Sequence, residues 1–168
     1  GHVVSVAARA LVLGVTDGRF VRAPAGERTR RAYGQFTRMS AAFALVSELA
    51  LATLGARLKR TEKISGRLAD ALAWLYLGSA VLKRFHHDRE PEHDFAFVRF
   101  ATEYALYEIQ TALQGVLHNL PNQVTARVVH LAVFPLGGGY RAPSDAVGAM
   151  VARELREDRD ARISLTAE

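Results

Sequence analysis

At 168 residues the chain suits one domain, large enough to bury about 70% of the surface its unfolded form exposes. Cysteine is absent, which excludes disulfides, thiolate metal sites, iron–sulfur clusters and a cysteine nucleophile, and fits a reducing compartment. The net charge of +5, carried mostly by arginine, permits an anionic partner without demanding one, and nucleic acid is not expected.

The chain opens with VVSVAARALVLG, where Val4, Ala7, Ala8 and Leu11 recur at helical spacing and predict an amphipathic helix laid on the core. It lacks the basic start and cleavage site of a signal peptide, and Ser5 and Arg9 interrupt its apolar run well short of the roughly 20 residues of a membrane span. Because the sequence starts at Gly1 rather than Met, a fragment of a longer protein is expected. GVTDGRFVRAPAG then reads as a linker with a turn at Asp17-Gly18. Arg19, Arg22, Arg28, Arg30 and Arg31 would form an anion-binding patch if clustered, since guanidiniums pair well with phosphate, but solvated charge is the favoured reading.

From Arg30 a helical pattern is predicted to about Lys59, with Tyr33, Phe36, Met39 and Phe43 on one face and Ala50, Leu54 and Leu58 farther along. Between Ala41 and Leu54 nearly every position is apolar except Ser47 and Glu48, which implies burial on most sides. Lys59 and Arg60 close this arm and Glu62 opens the next, the charge order that helix dipoles favour. The second arm, Ser65 to Phe85, is equally apolar around Leu68, Leu72, Leu75, Leu82 and Phe85, and Gly78, Ser79 and Ala80 offer a small-residue spot for close helix contact. Folding the arms back about residues 60–63 sets Glu48 roughly two turns from Asp70 at ~1.5 Å rise per residue, out of register for a catalytic carboxylate pair. A membrane hairpin is not expected, because each arm falls short of about 20 apolar residues and carries an acid near its middle.

His86, His87, Asp88, Glu90, His93 and Asp94 are the densest group of potential ligands, and Glu90 to His93 has the Glu-x-x-His spacing of di-iron bundles. Such sites need a second copy and further glutamates, and Pro91 sits inside this one, so a polar loop is expected, with Asp94 capping the next helix. From Phe95 to His118 the chain predicts its most regular amphipathic helix, with Val98, Ala101, Ala105, Ile109, Ala112 and Val116 on one face and Arg99 spaced to pair with Glu103. Asn119 and Pro121 stop it, and Asn122 can cap a shorter helix to about Phe134. His118 and His130 read as surface or packed residues. PLGGGYRAPSD formally spells a dinucleotide fingerprint at Gly137, Gly139 and Ala142, but no strand precedes it and Pro143 follows, so a flexible turn is expected. Pro143, Ser144 and Asp145 start a last helix with Val147, Met150, Val151 and Leu155 on one face, followed by a charged tail that docks, if at all, through Ile163 and Leu165.

The fold class expected is all-α, a bundle of five or six helices around the antiparallel hairpin. Residues 1–168 form one domain: a leading helix and linker over 1–26, the bundle over 27–155 and the tail over 156–168. The strings LKRTEKISGRLAD, YLGSAVLKRF, NLPN, FPLG and RAPSD, in this order and spacing, resemble the C-terminal domain of bacterial FadE-type acyl-CoA dehydrogenases, and the likeness covers nearly the whole chain. Enzymes of that family use FAD to oxidise fatty acyl-CoA to the trans-2-enoyl form in fatty-acid β-oxidation, with a carboxylate removing an α-proton.

The resemblance implies a chain without catalytic or cofactor-binding residues of its own, because the family's flavin fold and catalytic glutamate belong to a preceding dehydrogenase portion; metal residues are not expected either, on the polar-loop reading of His86 to Asp94. It implies FAD in the parent enzyme, and as partners that dehydrogenase portion and a second copy of the parent in a homodimer. A role in assembly or membrane contact follows by analogy with very-long-chain acyl-CoA dehydrogenases. The expected location is the cytoplasm, with peripheral contact on the inner face of the bacterial inner membrane, where Arg57, Lys59, Arg60, Lys63 and Arg67 would meet anionic headgroups; a solvated hinge is the plainer reading of those five. The alternative function is a free-standing helical adaptor without enzymatic activity.

Overall fold

A computed structural model describes residue 26 and residues 28–135 and 137–157. The leading helix, the Asp17-Gly18 turn, Arg19, Arg22, Ile163 and Leu165 lie outside the described residues. Among those described there are five α-helices and no strand, in agreement with the all-α expectation. Helix α1 spans Arg30–Leu54 and ends where Gly55 takes a left-handed φ of 53°, donating its N–H back to the Leu51 carbonyl. A side chain would strain that conformation, and glycine allows it at little cost. The chain then tightens into a 3-10 turn over Gly55–Arg60, so the α-helix stops about a turn earlier than its hydrophobic pattern predicts.

Helix α2 spans Glu62–His87, with Glu62 in its first turn and Arg84, His86 and His87 in its last, the arrangement the helix dipole favours. A short 3-10 turn, Glu92–Asp94, leads into α3, Phe95–His118. Asp94 stands at the cap position as expected, although its side chain makes no capping hydrogen bond. Helix α4 runs Gln123–Val133 and is capped as predicted, the Asn122 side chain accepting from the Thr125 N–H at 3.1 Å. Helix α5 covers Asp145–Glu157 and so includes the first residues of the expected tail.

Helix α3 packs against all the other described helices, and its packing against α2 is the most extensive among them. The reason lies in its sequence: Ala105, Ile109, Ala112, Leu113, Val116 and Leu117 are buried over more than three turns, a stripe wide enough to meet neighbours on several sides. Helices α1 and α2 pack on each other across the 3-10 turn. Their close approach is at Gly78, where a Cβ would lie 2.1 Å from the Phe36 ring. Of the three small residues marked by the sequence, Gly78 alone is buried, and Ser79 and Ala80 face outward. Trp74 of α2 meets Tyr104 of α3 edge-on with ring centroids 5.3 Å apart, and Tyr104 stacks on Phe100 at 6.3 Å.

Two expectations of burial require correction. Leu51 is 60% exposed and Ala52 is exposed, so the last turn of α1 is not enclosed on most sides. Leu72, expected on the apolar face of α2, is 54% exposed. The buried side of α2 is the line Ile64, Ala71, Leu75, Gly78, Leu82 and Phe85. At 3.6 residues per turn, Leu72 falls a quarter-turn around the helix from it.

Candidate functional site

The five cations singled out by the sequence lie in consecutive elements. Arg57, Lys59 and Arg60 occupy the 3-10 turn, and Lys63 and Arg67 the first two turns of α2. All but Arg67 are exposed. Arg67 is half-buried, its side chain lying across Gly115 of α3, where a Cβ would come 2.8 Å from Nε. None of the five forms an ion pair with a described residue. Glu62 is the one acid between Glu48 and Asp70. The 3-10 turn and the start of α2 therefore present five cations against the single acid Glu62, an excess of positive charge able to attract anions.

Apolar side chains are also left uncovered. On α2, Leu72, Tyr76 and Leu77 are exposed, Tyr76 to 74%. On α4, Val124, Val128 and Leu131 repeat at i, i+4 and i+7 and are all exposed, forming one unpartnered face. By length and composition, Arg30–Arg60 could cross a membrane, and 33% of its apolar window is buried in the bundle. The sequence expectation that this arm is too short for a span is thus not met on length and composition. Its inner residues Phe36, Met39, Leu45 and Val46 nevertheless belong to the shared core, and a core helix satisfies the same criterion.

Glu48 is half-buried on α1 and Asp70 exposed on α2. His86 and His87 end α2 rather than lying in a loop. In the following turn Arg89 and Glu90 take left-handed φ values of 64° and 56°, sparsely populated for residues with a side chain. Glu90 is pinned there: its Oε1 accepts from the Gly26 N–H at 2.9 Å and lies 3.3 Å from His86 Nδ1 and 3.5 Å from Thr29 Oγ1. It also acts on Tyr33, whose phenol is pushed up by burial and secondarily by this carboxylate. Glu90 thus ties the start of α1 to the α2–α3 connection. Among the described residues no three acids or histidines are grouped to hold a metal.

The glycine loop after α4 does not fit a dinucleotide phosphate. Gly137 has a left-handed φ of 77°, but the element before it is helix α4 and not a strand. At Gly138 the space a Cβ would fill lies 2.9 Å from the Gln110 side-chain nitrogen and 3.0 Å from that of Gln114, so the backbone closes on α3 instead of cradling an anion. Tyr140 is held there on both sides. The Gln110 amide Nε2 donates to its carbonyl at 2.9 Å, and its N–H donates to Gln110 Oε1 at 3.0 Å. Arg38 of α1 donates to the Tyr140 hydroxyl at 3.1 Å and to the Val133 carbonyl at 3.1 Å. The expected flexible turn is a strap fastened to α1 and α3. Sequence reasoning missed it because Gln110 and Arg38 read as ordinary helix residues.

At the α3–α4 contact His118 and His130 stack with ring centroids 5.9 Å apart, His130 also meeting Phe134 at 5.4 Å. Burial, and then neighbouring His118, push the His130 imidazole below its usual range. The family model described as acyl-CoA dehydrogenase, C-terminal, bacterial type, matches residues 1–168 of the chain. No solved structure matches it.

Proposed function

Because the chain belongs to the family of bacterial-type acyl-CoA dehydrogenase C-terminal domains, we propose that it is an accessory domain of a FadE-type, flavin-dependent fatty acyl-CoA dehydrogenase of β-oxidation. In this reading FAD and the catalytic base reside in the dehydrogenase portion of the parent chain, and the helical bundle packs on that portion and supports a homodimer of the parent. The observation that carries the reading is the family match over every residue of the chain. The uncovered Leu72, Tyr76 and Leu77 of α2 support it, since apolar side chains clustered on one helix are the usual substance of an interface.

The test uses the 168-residue chain and the dehydrogenase portion, purified separately. The chain alone is expected to carry no flavin absorbance and to co-elute with the dehydrogenase portion when the two are mixed. Stoichiometric flavin on the isolated chain, or separate elution at every concentration, sinks the proposal and leaves a free-standing adaptor as the better description.

Peripheral membrane contact through Arg57, Lys59, Arg60, Lys63 and Arg67, on the cytoplasmic face of the inner membrane, is part of the same proposal. Cations near an anionic surface contribute about 1 kcal/mol each, and four of these five are exposed. In vesicle flotation, binding is expected to rise with the fraction of acidic lipid and to fall in an R57Q/K59Q/R60Q variant. Indifference to lipid charge rules out this contact.

A further inference from the structure

A cleft of about 570 Å³ opens between the start of α1, the first half of α3 and the strap before α5. Four guanidiniums stand around it, those of Arg28, Arg31, Arg99 and Arg141, against the single carboxylate of Glu103. Two of the four are committed: Arg28 pairs with Glu92 and lies 5.4 Å from the centre of the Phe95 ring, and Arg99 donates to Glu103 at 2.9 Å. Arg31 and Arg141 are exposed and form no ion pair with a described residue. Its lining is mixed, with Leu82, Phe95, Val98 and Leu106 supplying apolar surface beside Gln35 and Thr102. Thr29 and Ser144, the residues preceding α1 and α5, also line it, so the positive ends of two helix dipoles border the same space.

We propose that this cleft binds a small amphiphilic anion, a single-chain molecule whose carboxylate or phosphate head pairs with Arg31 and Arg141 while its apolar body lies against Phe95, Val98 and Leu106. The geometry is set in advance. Arg141 follows Tyr140, whose backbone is clamped by the buried Gln110 amide, and Arg31 lies in the first turn of α1, anchored through Glu90 at Gly26 and Thr29. Little backbone freedom is therefore lost when the two guanidiniums meet a planar or tetrahedral oxyanion. The volume lies within the range of small-molecule sites. Arg28 and Arg31, two of the arginines that the sequence favours as solvated charge, both line this cleft. The inference rests on the cleft alone and stands whether or not the domain docks on a dehydrogenase.

The same head chemistry occurs on free single-chain molecules and on membrane phospholipids, so the test separates the two. Octyl phosphate, octanoate and octanol are titrated calorimetrically into the full 168-residue chain and into an R31Q/R141Q variant. Both substitutions are at exposed positions, and unchanged helicity by circular dichroism verifies the fold. Octyl phosphate and octanoate are expected to saturate a single site, octanol to bind about tenfold more weakly or worse, and the variant to lose about tenfold for the two anions while leaving octanol unchanged. Equal affinity for octanol and octyl phosphate overturns the proposal, as does unchanged anion affinity in the variant. Binding to vesicles of anionic phospholipid that requires Arg31 and Arg141, without any binding of octyl phosphate, also overturns it and makes the arginines a membrane-surface contact.

Discussion

Gln110 of α3 and Tyr140 of the strap exchange two hydrogen bonds, side-chain amide to backbone on both sides, at 2.9 and 3.0 Å. Gln110 is 5% exposed, and burying an amide is costly unless its donors and acceptor are matched. Here carbonyl and N–H of one residue satisfy the amide's oxygen and one of its N–H groups. The pair is what converts a run of three glycines into a defined path for the chain between α4 and α5.

Gln110→Ala removes both bonds, and the expected loss is about 1–3 kcal/mol of unfolding free energy, with faster amide exchange at Tyr140. Urea denaturation and hydrogen exchange check it. A change below about 0.5 kcal/mol would mean that water replaces the amide without cost.

Gly78→Ala sets two effects against each other. Alanine is the better helix former by about 1 kcal/mol, but its Cβ would lie 2.1 Å from the Phe36 ring, and overpacking typically costs about 1–3 kcal/mol. Net destabilisation is expected, relieved in the double variant with Phe36→Leu. Thermal melts of the two single variants and the pair measure the coupling.

Ile109→Ala is expected to cost about 2–5 kcal/mol, because Ile109 is fully buried on the helix that all others touch and the surroundings relax only partly around the cavity. Leu51→Ala removes as many carbons at a position 60% exposed and should change stability by no more than about 0.5 kcal/mol. Paired chemical denaturation of these two variants tests whether α3, and not the end of α1, is the structural spine.

Burial and the neighbouring His118 ring lower the pKa of His130 in the folded state. Above its ordinary value of about 6.5, His130 is neutral folded and unfolded, and its contribution to stability is fully present. As pH falls below that value the unfolded chain takes up the proton first, and stability is lost until the folded pKa is passed. The decline in melting temperature between about pH 7.5 and 5.5 should be shallower in His130→Gln. An equal decline in both proteins removes His130 as its source.

Much of the local structure was legible in the residues. The regular stripe of α3, the Arg99–Glu103 pair now seen at 2.9 Å, the Asn122 cap and the start of α5 at Asp145 all follow from spacing of three or four residues. The end of α1 was misread by a turn, because hydrophobic periodicity runs on through Leu58 while the backbone breaks at Gly55. The five hinge cations were legible as a group, since they are close in sequence. The arginine cleft was not, because Arg31, Arg99 and Arg141 are far apart along the chain and only the packing of α1, α3 and the strap brings them to one opening.

The sequence by itself determined the all-α class, the identity of most helices and the family, because periodicity, caps and ordered motifs are properties of neighbouring residues. Tertiary structure decided which helix is central, which apolar side chains stay uncovered and which polar groups meet. Those depend on what lies across from each face: Leu72 and Leu75 are chemically alike, yet about a sixth of a turn of helix leaves the first 54% exposed and buries the second. Gln110 likewise becomes a fastener only because folding lays Tyr140, thirty residues away, against it.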